Sequence, residues 1–220
     1  MRYGIMDNQF DIYREAEKTE KLTPKQKLIF QSAIDLFSKQ GYANTSTKEI
    51  SEHAGVSEGS IFRKFKNKEE LLMAILTPLT HKILPQDLKQ FSHTMYQNDT
   101  LNLKYFLTTM INDRISLFKY NHKIMKIFLN EFIYDQKIHD RLIESIPKKS
   151  FKQFNQVLDE LKQKNLLIDW DNLEIFRFLA SNILGYLIQH YIIVNEKEWD
   201  EPSEIEHVTE FIVKGLTPTK

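Results

Sequence analysis

Apolar residues recur along this chain at steps of three and four from about residue 24 to the end, the period of helices that bury one face. Ile29, Ala33, Leu36 and Phe37 stripe a first helix that stops at Gly41, a residue suited to the turn after a helix. Ser46 and Glu49 have the spacing of a capping box, which opens a second helix burying Ile50 and Ala54. Gly55-Val56-Ser57 breaks that helix. Ser57 is placed to cap a short third helix carrying Ile61, Phe62 and Phe65, and Asn67 with Glu70 opens a fourth, striped by Leu71, Leu72, Ile75, Leu76 and Leu79. After the region from Pro78 to Pro85, Leu103, Phe106, Leu107, Met110, Ile111, Leu117 and Phe118 mark a fifth helix; Ile124, Ile127, Phe128 and Phe132 mark a sixth. Pro147 interrupts the stretch that follows. Phe151, Phe154, Leu158 and Leu161 make a seventh helix, and a cap at Asp171 and Glu174 opens a long eighth through Phe176, Ile183, Leu187 and Tyr191. The last starts near Pro202, with Ile205, Val208 and Ile212 on one face. No strand alternation and no repeat is found, so the pattern predicts an all-α fold of about nine helices.

Residues 1–22 do not share the pattern. Five acidic and four basic residues stand there among few apolar ones, which predicts a flexible N-terminal extension. Phe10 and Tyr13 are its side chains able to pack on the body.

Composition removes several classes of function. With no cysteine there is no disulfide framework, thiolate metal site or cysteine nucleophile. The six glycines, at 4, 41, 55, 59, 185 and 215, leave no place for a Walker loop or a dinucleotide fingerprint. Thirty basic residues balance thirty acidic ones, so any nucleic-acid patch must be local. The most apolar stretch, Phe176 to Val194, is broken by Arg177, Asn182, Gln189 and His190, so no apolar run approaches the roughly 18 residues a membrane span needs. With no signal-peptide pattern either, a cytoplasmic protein without a membrane partner is expected. No HxxxH, HExxH or GxSxG occurs; the Asp135/His139 pair reads as a solvated face, and no enzyme activity, metal or cofactor is expected.

The informative stretch is Ser46 to Phe65: a helix, a glycine turn and a second short helix, the order of a helix-turn-helix. Ala54 lets the helices approach, Gly55 supplies the turn and Val56 plugs the space between them. Ile61 and Phe65 face inward while Glu58, Gly59, Ser60, Arg63 and Lys64 face out, on a helix able to enter the roughly 12 Å major groove. Between Ser57 and Lys68 four cations (Arg63, Lys64, Lys66, Lys68) stand against Glu58 alone, the local charge that phosphate contacts require.

From Thr23 through Ile29, Ala33, Leu36-Phe37, Gly41-Tyr42, Thr45-Ser46-Thr47, Ile50 and Ala54-Gly55-Val56-Ser57-Glu58-Gly59-Ser60-Ile61-Phe62 to Phe65-Lys66-Asn67-Lys68-Glu69-Glu70-Leu71, the sequence resembles the N-terminal domain of TetR/AcrR transcriptional regulators. The resemblance implies a three-helix DNA-binding domain at 23–72 with its motif at 46–65, and a helical regulatory and dimerisation domain at 73–220. It implies DNA contacts by Thr45, Ser46, Thr47 and Lys48 at the start of the second helix. On the recognition helix it implies Ser57, Glu58, Gly59, Ser60, Phe62, Arg63 and Lys64, and at the start of the fourth helix Lys68. Phe62 stands where the family usually has a phosphate-touching tyrosine; Arg63 is open to a base or a phosphate role. The resemblance further implies a homodimer through the last two helices (Leu173–Val194 and Ile205–Leu216), a palindromic double-stranded DNA operator and a small-molecule effector. Candidate pocket liners are Phe106, Met110, Arg114, Phe118, Phe128, Phe132, Tyr134, Phe154 and Tyr186. A ligand-released repressor is the function expected. The alternatives are a helical small-molecule or lipid binder without specific DNA binding, and a metal-carboxylate enzyme, for which Glu204 and His207 give a single Glu-x-x-His pair.

Overall fold

A computed structural model of the chain describes residues 11–81, 103–194 and 200–218. Among them are eleven α-helices and no strand: α1 (Ile12–Glu20), α2 (Pro24–Gln40), α3 (Thr47–His53), α4 (Gly59–Lys64), α5 (Lys68–Thr80), α6 (Leu103–Tyr120), α7 (His122–Tyr134), α8 (Gln136–Ser145), α9 (Lys148–Gln163), α10 (Asn172–Ile188) and α11 (Glu201–Leu216). A π-helical segment, Gln189–Val194, continues α10. The all-α reading stands, with two helices more than the nine the pattern gives. The additions, α1 and α8, each bury a stripe only two residues long, Ile12 with Ala16 and Ile138 with Leu142. Pro78 lies within the last turn of α5 rather than ending it, and Phe10 and Pro85 fall outside the described residues.

The chain divides into two compact units, residues 1–83 with 120–146 and residues 84–119 with 147–220. In the first, α2 opens with Pro24 behind a capping box in which Thr23 and Gln26 serve each other's backbone. Ile29, Phe30, Ala33 and Phe37 from α2 meet Ile50, Ile61, Phe65, Leu71, Leu72 and Ile75 in one core. Burying a leucine, isoleucine or phenylalanine side chain contributes about 1.5–3 kcal/mol, so this cluster holds the short helices α3 and α4 that could not persist alone. α7 packs on α2, and α8 on α5 and α7. Lys123 reaches Asp35 at 2.6 Å, Arg141 reaches Glu69 and Glu70, and the Thr80 and Ser145 hydroxyls lie 2.7 Å apart.

The flexible arm expected over 1–22 is helical in its second half. α1 lies against α5, with Ile12 and Ala16 wholly buried. Asp11 caps its start, and the Tyr13 ring meets that of Phe30 at a tilt, their centres 5.8 Å apart. Short amphipathic spacing among many charges made this stretch read as solvent-exposed; its apolar face is narrow, not absent.

The second unit holds α6, α9, α10, the π segment and α11. Phe106, Phe118, Phe154, Leu161, Ile175 and Ile212 are buried in it. Lys104 pairs with Glu206 and Glu210, and Lys119 with Glu201, linking α6 to α11. The Ile168 N–H donates to Leu216 O at 2.9 Å, fastening the end of α11 to the α9–α10 loop. Tyr191, in the π segment, lies 5.4 Å from Phe118 and donates to Glu201 at 3.2 Å.

Candidate nucleic-acid interface

The motif is built locally before it is packed. Ser46 opens α3 by a reciprocal cap: the Glu49 N–H donates to Ser46 Oγ at 3.1 Å and the Ser46 N–H to Glu49 Oε2 at 2.7 Å. Those bonds to Ser46 hold the Glu49 carboxyl below the usual range. Gly55 then turns the chain with φ +66°, and since a Cβ there would meet nothing within 4 Å, backbone conformation and not space selects glycine. The Gly55 and Val56 N–H groups bond back to Glu52 O and Ser51 O. α4 follows. Its N-cap residue is Glu58, with no side-chain cap, whereas Ser57, expected as the cap, has its hydroxyl 3.0 Å from that of Ser60. Ile61 and Phe65 drive into the core.

What remains outward is a small face. Ser57, Gly59, Phe62 and Arg63 are exposed on and before α4, and Ser46 and Lys48 at the start of α3. Ser60 is half-buried beside them. Phe62 keeps 47% of its surface exposed, an aromatic plate with no polar tip. Lys48 lies 4.0 Å from Glu52. Arg63 is exposed without an ion-pair partner among the described residues, and so is Lys66, which the charge pattern counted but the expected contacts did not include.

Five expected contact residues are engaged inside the protein. Thr45 is buried and its hydroxyl donates to Gly41 O at 2.8 Å. Thr47 donates to the Glu58 carboxylate, joining the first turn of α3 to the start of α4. Lys64 turns back to Glu20 of α1. Lys68 donates to Tyr42 O and Thr45 O, both at 2.8 Å, and sits 4.2 Å from the Tyr42 ring centre. Burial holds its ammonium below the ordinary lysine pKa. Tyr42 itself is pushed up to about 12, by burial first and then by Glu69. Its N–H is bonded by Glu131 of α7, whose carboxyl is raised by burial and by Asp135. The loop between α2 and α3 is thus clamped from below by Lys68 and from α7 by Glu131.

The expected pocket liners are divided between the two units. Phe106, Met110, Phe118 and Phe154 are buried in the second unit, with Arg114 and Tyr186 half-buried there. Phe128, Phe132 and Tyr134 belong to the first unit; Phe128 and Phe132 stack at 5.1 Å, and Tyr134 is 86% exposed. Arg114 pairs with the adjacent Asp113. An open cleft of about 550 Å³ in the second unit is lined by Phe151, Phe154, Asp159, Trp170 and Phe176 among others, and only Phe154 among the nine expected liners touches it. Leu173, Leu184, Ile193 and Phe211 stand exposed on α10, the π segment and α11. His139 faces Asp140 at 3.0 Å, and no group of three metal-ligating side chains occurs among the described residues. Nor, among those residues, is any helix long and apolar enough to cross a membrane.

A helix-turn-helix seated on a buried core, with an exposed arginine and serine- and glycine-lined first turn on its second helix, defines a DNA-binding protein of the helix-turn-helix class. Residues 29–75 match the sequence profile of the bacterial regulatory proteins, tetR family. The chain is 30% identical over 198 residues to YvkB of Bacillus subtilis, an uncharacterized HTH-type transcriptional regulator, covering 89% of this chain and 99% of that one. The chain belongs to the TetR family of transcriptional regulators. Among solved structures it resembles the fatty acid degradation regulator FadR of Bacillus halodurans (TM-score 0.63, 18% identity, 88% of this chain and 97% of that one). It also resembles the ketosteroid transcriptional regulator KstR2 of Mycobacterium tuberculosis (TM-score 0.63, 17% identity, 90% and 96%).

Proposed function

We propose that this regulator is a ligand-released repressor that binds a palindromic operator as a homodimer. The outward face of α4 carries the reading: Ser57, Gly59, Ser60, Phe62 and Arg63 form a nearly uncharged, close-approach surface with one unpaired cation, suited to base edges. Lys48 and Lys66 flank it as phosphate contacts. In a two-fold dimer the recognition helices stand about 34–36 Å apart. The exposed Leu173, Leu184 and Phe211 support pairing through α10 and α11, where a second copy would take these large apolar side chains out of water. The second unit holds the effector, and release follows only if the effector binds the DNA-free conformation more tightly. The protein acts in the cytoplasm, by binding rather than catalysis.

Selection of bound sequences from a random duplex pool at moderate salt tests this. Enrichment of a palindrome is expected, and Arg63→Ala should then weaken binding to it by about 1–3 kcal/mol relative to random duplex. Salt-sensitive binding without any enriched sequence would refute the operator reading and leave a small-molecule binder.

A further inference from the structure

α1 is fastened at both ends to parts of the first unit that lie far apart in sequence. At its start the Ile12 N–H donates to Asn121 Oδ1 at 2.9 Å, and Asn121 is the buried corner residue before α7. At its end Glu20 meets Lys64, the last residue of α4. Lys64 Nζ lies 2.8 Å from Glu20 Oε2 and donates to Glu20 O at 2.9 Å. Between these points Glu17 pairs with Lys27 of α2 at 2.6 Å, and Ile12 and Ala16 are buried. The Lys64 and Glu20 side chains keep only 26% and 30% exposure, so the pair is screened less than an ordinary surface ion pair. Two acceptors on one ammonium also fix its direction. Two of its three N–H donors are thereby engaged, and swinging the side chain out to a phosphate would break both bonds.

We propose that α1 is a tie holding the C-terminal end of the recognition helix, with Glu20 and Lys64 as positioning residues and Lys64 outside the set of phosphate contacts. α4 has six residues, too few to hold itself as a helix. Its first end is held by Thr47 on Glu58; its last end is held by Lys64 on Glu20. A helix that must present Arg63 to a base edge needs both ends fixed, because Arg63 is adjacent to the second tie. Only the DNA-binding part of the test rests on the function proposed above.

The first measurement is amide hydrogen exchange on the full-length chain without DNA, comparing Lys64→Gln, Glu20→Gln and the double variant. Lys64→Gln should speed exchange across α4 by about two- to five-fold. Glu20→Gln should do less, because the Glu20 carbonyl still accepts, and the double variant should match Lys64→Gln alone. Unchanged α4 exchange, or additive effects of the two changes, overturns the tie. The second measurement is the salt dependence of binding to a random-sequence duplex. Lys66→Gln should flatten the slope by about one unit, whereas Lys64→Gln should leave it as in the wild type. If Lys64→Gln flattens it as Lys66→Gln does, Lys64 is a phosphate contact and the proposal falls. A wild type that retains no duplex even at low salt would sink the DNA-binding reading, and the exchange data would still decide the tie.

Discussion

Truncating Ile12 to alanine tests whether α1 is part of the folded domain. The side chain has no exposed surface, and its loss removes three carbons from the contact between α1 and α5. At about 0.8 kcal/mol per buried methylene, transfer alone is about 2.4 kcal/mol, and an unfilled cavity raises the total to about 3 kcal/mol. In a chain of 220 residues, where 1 kcal/mol moves Tm by about 2–4 °C, melting should fall by about 6–12 °C if α1 unfolds together with its unit. If α1 instead opens by itself, the same free energy appears locally. Trypsin cleavage at Lys18 and Lys21, which flank the end of the helix, should then accelerate by on the order of 100-fold, since cleavage follows the open population. Arg14→Ala is the control, because its side chain is 78% exposed, and it should change neither reading by more than about 0.5 kcal/mol. Melting within about 1 °C of the wild type, together with unchanged cleavage, would refute the packing of α1 and with it the physical basis of the tie.

Three further outcomes are expected. Lys68→Met leaves the Tyr42 and Thr45 carbonyls without their shared donor and should cost about 1–3 kcal/mol in denaturant unfolding, while the salt slope of binding to random duplex stays unchanged; a slope flattened by about one unit would return Lys68 to the phosphates. The Glu131 carboxyl is raised by burial, so the folded state binds its proton more tightly than the unfolded chain does, and its contribution is full below the ordinary carboxylate range and lost as pH rises through the folded value. Glu131→Gln should therefore be more stable than the wild type at neutral pH, with the difference vanishing on acidification; an equal gain at every pH would show that burial of the charge is not the cause. Phe211→Asp places a carboxylate on a 64% exposed apolar site of α11 and should weaken self-association by about 2 kcal/mol or more in sedimentation equilibrium, whereas unchanged association would remove this face from the interface.

The motif was legible in the sequence because its signals are local. Ser46 and Glu49 cap each other three residues apart, Gly55 takes the turn its type allows, and Ile61 and Phe65 face the core four residues apart. Lys64 was not legible in the same way. Its cation reads as a phosphate contact, but its partner Glu20 lies 44 residues away on a helix whose apolar stripe is only Ile12 and Ala16. The bonds of Thr45 and Lys68 were illegible for a related reason: a hydroxyl and an ammonium near a DNA-facing loop serve its backbone carbonyls as readily as they serve DNA. The expected pocket mixed two units because periodicity reports that Phe128 and Phe154 are buried and says nothing of which unit buries them. Lys66, counted among the local cations, is exposed because it follows the inward Phe65, where the extended backbone at the helix end turns the next side chain to solvent.

The π-helical turn at Gln189–Val194 bears on how this chain tolerates changes of length. Such a turn stores one residue more than an α turn, and each residue of a regular helix advances the azimuth by about 100°. Tyr191 can thereby meet Phe118 and Glu201 while Ile193, two positions on, stands 65% exposed. In genetic terms the segment is a one-codon insertion kept open by its neighbours. Deleting a single codon here would give the backbone a more regular helix and yet move Tyr191 off Phe118 and Glu201, so a gap in this place and a substitution in this place select for different things.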